Sequence, residues 1–186
     1  MLPQRPVVTI DRDTPWLIRR FLDRTAQVFF VTPEMVPEIA AEIAPFVRKV
    51  VAIDREPAMI DAARKRLRPH ANVEVRKGAL EDIPAEAGEF DACVISLVLH
   101  HSRSPAKVLA SARRALAKQG SVIVIDMVAH ERDEYRATMG HEHLGFSDAS
   151  LAAIAAEARL SLALYRPLRP AIGARGPGLF VARLGK

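Results

Sequence analysis

Residues 27–54 read QVFFVTPEMVPEIAAEIAPFVRKVVAID. Two short apolar runs, QVFFV (27–31) and KVVAID (49–54), flank one amphipathic segment of helix length, which predicts a strand–helix–strand unit with parallel strands. The pattern continues downstream. NVEVRKG (72–78), FDACVIS (90–96) and SVIVIDMV (121–128) are further strand candidates, separated by the helical stretches EPAMIDAARKRL and SPAKVLASARRALAKQ, the latter stopped by Gly120. Strands alternating with helices build a parallel sheet covered on both faces. The chain finishes differently. SLALYRPL (161–168) and GLFVARLG (178–185) are joined by PAIGARGPG with no helix between them, which predicts an antiparallel pair. PWLIRRFLDRT ahead of the first strand and SDASLAAIAAEARL, capped by Ser147, complete the helices. The expected class is α/β, a three-layer sandwich with a mostly parallel seven-stranded sheet and an antiparallel C-terminal hairpin strand.

Length and composition set the bounds. A chain of 186 residues fits one domain, 1–186, with 1–26 as an N-terminal segment and helix and 27–186 as the core. That size buries about 70% of the surface its unfolded form exposes. Apolar residues at 49% and charged residues at 26% exclude a disordered chain. The single cysteine, Cys93, forbids an internal disulfide and reads as a packing residue in a reducing compartment. The N-terminal stretch has no apolar h-region, and no apolar run reaches the roughly 18 residues of a membrane span. A cytoplasmic location is therefore expected. Net charge is +5, with basic clusters at RKRLR (64–68), ASARRALAK (110–118) and RPLRPAIGAR (166–175). These read as solvated faces, and aromatics at only 5% argue against a nucleic-acid platform.

Five βα units followed by a hairpin, together with several local stretches, resemble the class I S-adenosylmethionine (SAM)-dependent methyltransferases, a Rossmann-like family. VVAIDREPAMIDAARKRL is similar to that family's second strand and helix, and NVEVRKGALEDIP to its third strand and adenine-side loop. FDACVISLVLHH looks like its fourth-strand motif, and RALAKQGSVIVID like its helix–turn–strand. AHERDEYRATMGHEHLGFSDASL is similar to a loop of methyltransferase domains fused behind ArsR-type regulators, which the chain resembles most closely. The resemblance spans residues 27–186. It implies that SAM lies at the exits of the first and fourth strands, where strand order reverses. Asp54 would accept its ribose hydroxyls, Pro57 and Met59 would lie against adenine, and Ala79, Leu80, Ser96 and Val98 would complete the cofactor side. As plain residues, Asp54 can equally cap the next helix and Pro57 can open it. The family has an acid where Ala79 stands, so the adenine amino group loses its partner.

The first loop departs further. Counting back from Asp54 places Pro33, Met35 and Pro37 at the three glycines of a G-x-G-x-G turn. Glycines serve there because the backbone takes positive φ and brings free N–H groups against the ligand. Proline fixes φ near about −65° and has no N–H. No slip of frame helps, since the first glycine of the chain is Gly78. The local chemistry reads as an early helix start, with Thr32 as N-cap, Pro33 at N1 and Glu34 at N2. Pro37 is late for that start and either distorts the helix or marks a later one. SAM binding is expected to be weak or lost.

The chemistry that remains is histidine-rich. His100, His101, His130, His141 and His143 fall on strand exits or the loops beyond, with Asp126 on the same edge. Imidazoles and carboxylates can supply a general base or hold a transition metal. Packing around the methionine arm, or a hydrogen-bonded polar lid, explains them equally well. Their spacing matches no tight metal signature, and no metal is assigned. His100, His101, His130 and His141 are the candidates for facing a methyl acceptor. The functional expectation is methyl transfer from SAM to a small molecule, with weakened cofactor binding. The alternative is a catalytically inactive methyltransferase-fold protein that binds or assembles with a protein partner or a second copy of itself.

Overall fold

A run as apolar as KVVAID must be covered on both faces, and the sheet does so. The computed structural model describes residues 27–31, 36–170 and 176–186. β2 (Lys49–Asp54) lies between β1 (Gln27–Val31) and β3 (Val73–Lys77), parallel to both. β1 also pairs in parallel with β4 (Phe90–Ser96), and β4 with β5 (Leu116–Met127). β7 (Leu179–Gly185) then runs antiparallel between β5 and β6 (Ser161–Pro167), as expected for strands joined without a helix. The seven strands take the order β3-β2-β1-β4-β5-β7-β6. The class is α/β, and strand order reverses between β1 and β4.

The period-2 geometry of strands sends alternate residues to opposite faces. Val51, Ile53, Cys93, Ile95, Val122 and Val124 join one core cluster with Val108 and Leu109 of α3 (Pro105–Ala115) and Leu151 of α5 (Asp148–Glu157). Val50, Ala52, Val94 and Ile125 join the other, against Ile39 and Ile43 of α1 (Val36–Ile43) and Leu67 of α2 (Pro57–Leu67). Each fully buried large aliphatic side chain is worth about 1.5–3 kcal/mol, so the two clusters dominate the driving force. Cys93 is fully buried, and burial raises its thiol pKa, in keeping with a packing role.

Three sequence expectations change. The helix foreseen up to Gly120 stops at Ala115, because Leu116, 1% exposed, turns extended to pair with Phe90. Gly120 therefore lies inside β5. α1 begins at Val36, which puts Pro37 in a first turn, where a missing N–H costs little. The proposed cap at Thr32, with Pro33, Glu34 and Met35, lies outside the described residues, as does the stretch PWLIRRFLDRT. An unforeseen short helix, α4 (Glu134–Met139), ends on left-handed Gly140.

The segment after β5 folds back on its own strand. Phe146 donates its N–H to Met127 O at 2.8 Å, Ala129 to Phe146 O at 3.2 Å and His130 to Leu144 O at 3.0 Å. Phe146 is buried, and Ser147 and Ser150 form a reciprocal capping box for α5. Gly145 makes this return feasible. Its φ is +75°, and a Cβ there would meet Val128 O at 2.4 Å and Met127 O at 2.6 Å. Gly140 shares the left-handed conformation, at φ +70°, but has open space around it. Gly140→Ala is expected to cost about 1 kcal/mol and Gly145→Ala at least about 3 kcal/mol, because only the second adds backbone overlap to strain. Urea denaturation of the two variants compares them directly.

A charged brace ties β3 to the approach to β4. Arg76 donates to both Glu89 carboxylate oxygens at 2.7 and 3.1 Å, to Glu74 Oε1 at 2.8 Å and to Pro84 O at 2.9 Å. Arg76, then Lys49, holds the Glu74 carboxyl at about 2, and Arg76 likewise lowers Glu89. Carboxyls held down in the fold contribute fully above their ordinary pKa of 4.5, and the contribution disappears as pH falls toward 2. Thermal melts should therefore show a midpoint that drops across that window. In Arg76→Met the drop should be shallower; an unchanged slope would assign it to other groups.

Candidate functional site

The crevice of an open α/β sheet lies beyond the carboxyl ends of its strands, at the reversal of strand order. Here that is the β1/β4 junction, flanked by the exits of β2 and β5. Asp54 ends β2, is half-buried, and accepts the Glu56 N–H on Oδ1 at 2.8 Å. The N-cap of α2 is Glu56, so Asp54 shapes the turn before the helix instead of capping it. Oδ2 has no hydrogen-bond partner among the described residues. Pro57 is the first residue of α2 and exposed, and Met59 is half-buried beside it. At the β3 exit Ala79 is exposed, while Leu80 packs partly against the main core. Of the nearby acids, Asp82 pairs with Arg114 at 3.4 Å and Glu81 accepts from Ser102 Oγ at 3.5 Å.

The β4 exit is unusual in two respects. Ser96 is fully buried with no partner for Oγ, an atom that normally finds one. Leu97 follows with φ +52°, a conformation costly for a leucine. Val98 is buried within the main core cluster.

At the β5 exit the carboxylate of Asp126 is completely buried and receives four donors. Oδ2 accepts from the Leu99 and His100 N–H groups at 3.1 and 3.3 Å. Oδ1 accepts from the Met127 N–H at 2.7 Å and faces His100 Nδ1 at 2.6 Å. A carboxylate oxygen already taking a backbone donor is an acceptor, so His100 Nδ1 carries the proton and donates. His100 is 2% exposed and held at the end of a short 3₁₀ turn, Leu99–His101.

Three more histidines gather there. The His100 ring lies 4.1 Å from His101 and 4.4 Å from His141, with His101 and His141 5.1 Å apart. His141 reaches this place because Glu142 and His143 both donate N–H to His100 O, at 3.1 and 3.0 Å. His130 approaches through Tyr135, whose buried ring lies 5.5 Å from His130 and 5.3 Å from His141. Burial, then Arg132, pushes the His130 pKa down. Burial, then His100 and His101, pushes His141 down to about 4. Both rings are therefore neutral near pH 7 and present lone pairs. Two ring nitrogens, His130 Nε2 and His141 Nδ1, are buried without partners.

Of the residues marked from sequence, His100, His101, His130 and His141 come together, whereas His143 packs on Phe146 at 5.4 Å. Asp54, Pro57, Met59, Ala79 and Leu80 lie at the exits of β2 and β3, away from that cluster along the sheet edge. Tyr135 was missed, since nothing in its spacing relates it to His141.

The methyltransferase-domain family model matches residues 36–124, from α1 into β5. A curated relative, an uncharacterized 37.1 kDa protein in transposon TN4556 of Streptomyces fradiae, is 36% identical over 76 residues, or 41% of this chain and 22% of that protein. The match thus spans about a fifth of that relative's length. Among solved structures, a protein of Bacillus halodurans C-125 described as a methyltransferase superposes with a TM-score of 0.78 at 19% identity, covering 95% of this chain and 98% of its own. A SAM-dependent methyltransferase from Aquifex aeolicus gives 0.71 at 18%, covering 92% and 88%. The cyclase SpnF gives 0.77 at 14%, covering 92% and 79%. Residues 36–124 match a methyltransferase domain by sequence, and the α/β fold around them is the one found in SAM-dependent methyltransferases.

Proposed function

We propose that this chain transfers a methyl group from SAM to a small molecule and that it holds the cofactor weakly. Asp54 carries this reading: a half-buried carboxylate at the exit next to the reversal of strand order, with one oxygen spent on the turn and the other unclaimed among the described residues. The other groups fit SAM in part. Ser96 Oγ is an orphaned hydroxyl at the β4 exit, suited to a polar ligand atom. Ala79 offers no acceptor for an adenine amino group, and Pro33 and Pro37 offer no N–H. Each missing hydrogen bond is worth about 1 kcal/mol, or roughly fivefold in affinity.

When bound, SAM supplies a methyl group on a positively charged sulfur, open to in-line attack. The chain's own task is to position the acceptor and take its proton. His130 suits the second task. It is neutral near pH 7, its Nδ1 accepts the Arg132 N–H at 3.2 Å, and its Nε2 is unpartnered.

A second reading keeps the fold and drops the reaction, leaving a binding or assembly module with a protein partner or a second copy. The replacement of three glycine positions by Pro33, Met35 and Pro37 favours it, and the likeness to a cyclase is a reminder that this fold does not dictate its chemistry. Calorimetric titration with SAM and S-adenosylhomocysteine separates the two. The methyltransferase reading expects saturable heat, an affinity lowered about tenfold or more in Asp54→Asn, and one raised about fivefold in Ala79→Asp. Absence of saturable heat in all three proteins would leave the module reading.

A further inference from the structure

We infer that His100, His101 and His141 form a binding site for one divalent transition-metal ion of the zinc class, with its fourth coordination position open. One ring nitrogen from each residue lies within 4.8 Å of the other two. A tetrahedral zinc site with bonds of about 2.0–2.1 Å places its nitrogens about 3.4 Å apart, so closing on an ion requires only small ring movements.

Proximity alone would not distinguish this cluster from packed imidazoles; the hydrogen bonds around it do. His100 Nδ1–H donates to Asp126 Oδ1 at 2.6 Å, and His101 Nδ1 lies 3.0 Å from Gly140 O. A carbonyl oxygen can only accept, so His101 Nδ1 also carries a proton. In both neutral rings the lone pair is then on Nε2. Ligating histidines are oriented in just this way, by a carboxylate or a backbone carbonyl on the other nitrogen. The third residue supplies an independent sign: His141 is 5% exposed, and its Nδ1 has no partner. An unmatched nitrogen in a buried ring costs free energy that a bound ion would recover.

The backbone holds the three residues together. His100 and His101 are adjacent in the Leu99–His101 turn, and the Glu142 and His143 N–H groups clamp the His141 segment onto His100 O. His101 is exposed, so the cluster faces solvent on one side, where a water or an anionic ligand atom could take the fourth position. Imidazole ligation selects zinc, copper, nickel or cobalt over magnesium and calcium, which prefer oxygen.

The test uses the full chain without an affinity tag, stripped by dialysis against a chelator and titrated with cobalt(II) chloride. Expected are visible absorption bands of tetrahedral intensity that saturate at one ion per chain and vanish on addition of zinc chloride. His141→Ala and His101→Ala should each weaken binding at least a hundredfold. His101 is exposed, so its variant keeps the fold even if the His141 variant does not. Asp126→Asn, which removes a positioning residue, should keep the one-to-one stoichiometry and lower affinity by about 10–100-fold. His70→Ala, distant from the cluster, should bind as the parent does. Absence of saturable bands, or bands that survive in His101→Ala, would overturn the inference and leave a hydrated polar cluster. SAM takes no part in the titration, so the outcome does not depend on whether the chain transfers a methyl group.

Discussion

A carboxylate with no exposure to water must find its donors in the protein, and Asp126 draws them from two strand exits at once. Its own strand supplies the Met127 N–H, and the neighbouring β4 exit supplies the Leu99 and His100 N–H groups and the His100 ring. To deliver those three, the chain leaving β4 has to turn within a few residues. Leu97 at φ +52° and the 3₁₀ turn at Leu99–His101 are the means. The turn leaves His100 O facing outward, where the Glu142 and His143 N–H groups dock. One buried charge-bearing group thus sets the β4 exit, the His100 ring and the loop that brings in His141.

The sheet edge divides into two regions of unequal condition. On the β2 and β3 side, Asp54 is well placed, but Ala79 stands where a carboxylate would serve, and prolines occupy glycine positions of the first loop. On the β4 and β5 side every histidine is oriented by a partner or by packing, and the unmatched atoms Ser96 Oγ, His130 Nε2 and His141 Nδ1 all lie there. The losses fall where a nucleotide would be held. The polar groups best arranged for chemistry fall where an acceptor would sit.

Much of the fold was legible in the sequence because apolar runs such as KVVAID and FDACVIS can be buried in few ways. α3 was overextended because Gly120 resembles a helix stop, while the decisive fact, the burial of Leu116 against β4, is a tertiary one. The site was legible only in outline. Placing histidines on strand exits follows from topology, but the approach of residue 141 to residues 100 and 101 depends on the left-handed turns at Gly140 and Gly145, which no periodicity encodes. A sequence search for metal spacing fails for the same reason: two ligands are adjacent and the third is forty positions away. The first loop lies outside the described residues, and its reading rests on the chemistry of proline.

The proton on His100 is the most direct gauge of this account. Long-range proton–nitrogen correlation NMR on the uniformly labelled protein reports which ring nitrogen is protonated. If Asp126 organises the site as described, the His100 Nδ1 proton will be strongly deshielded and Nε2 will show the shift of an unprotonated nitrogen. A His100 ring protonated at Nε2, with Nδ1 bare, would contradict it.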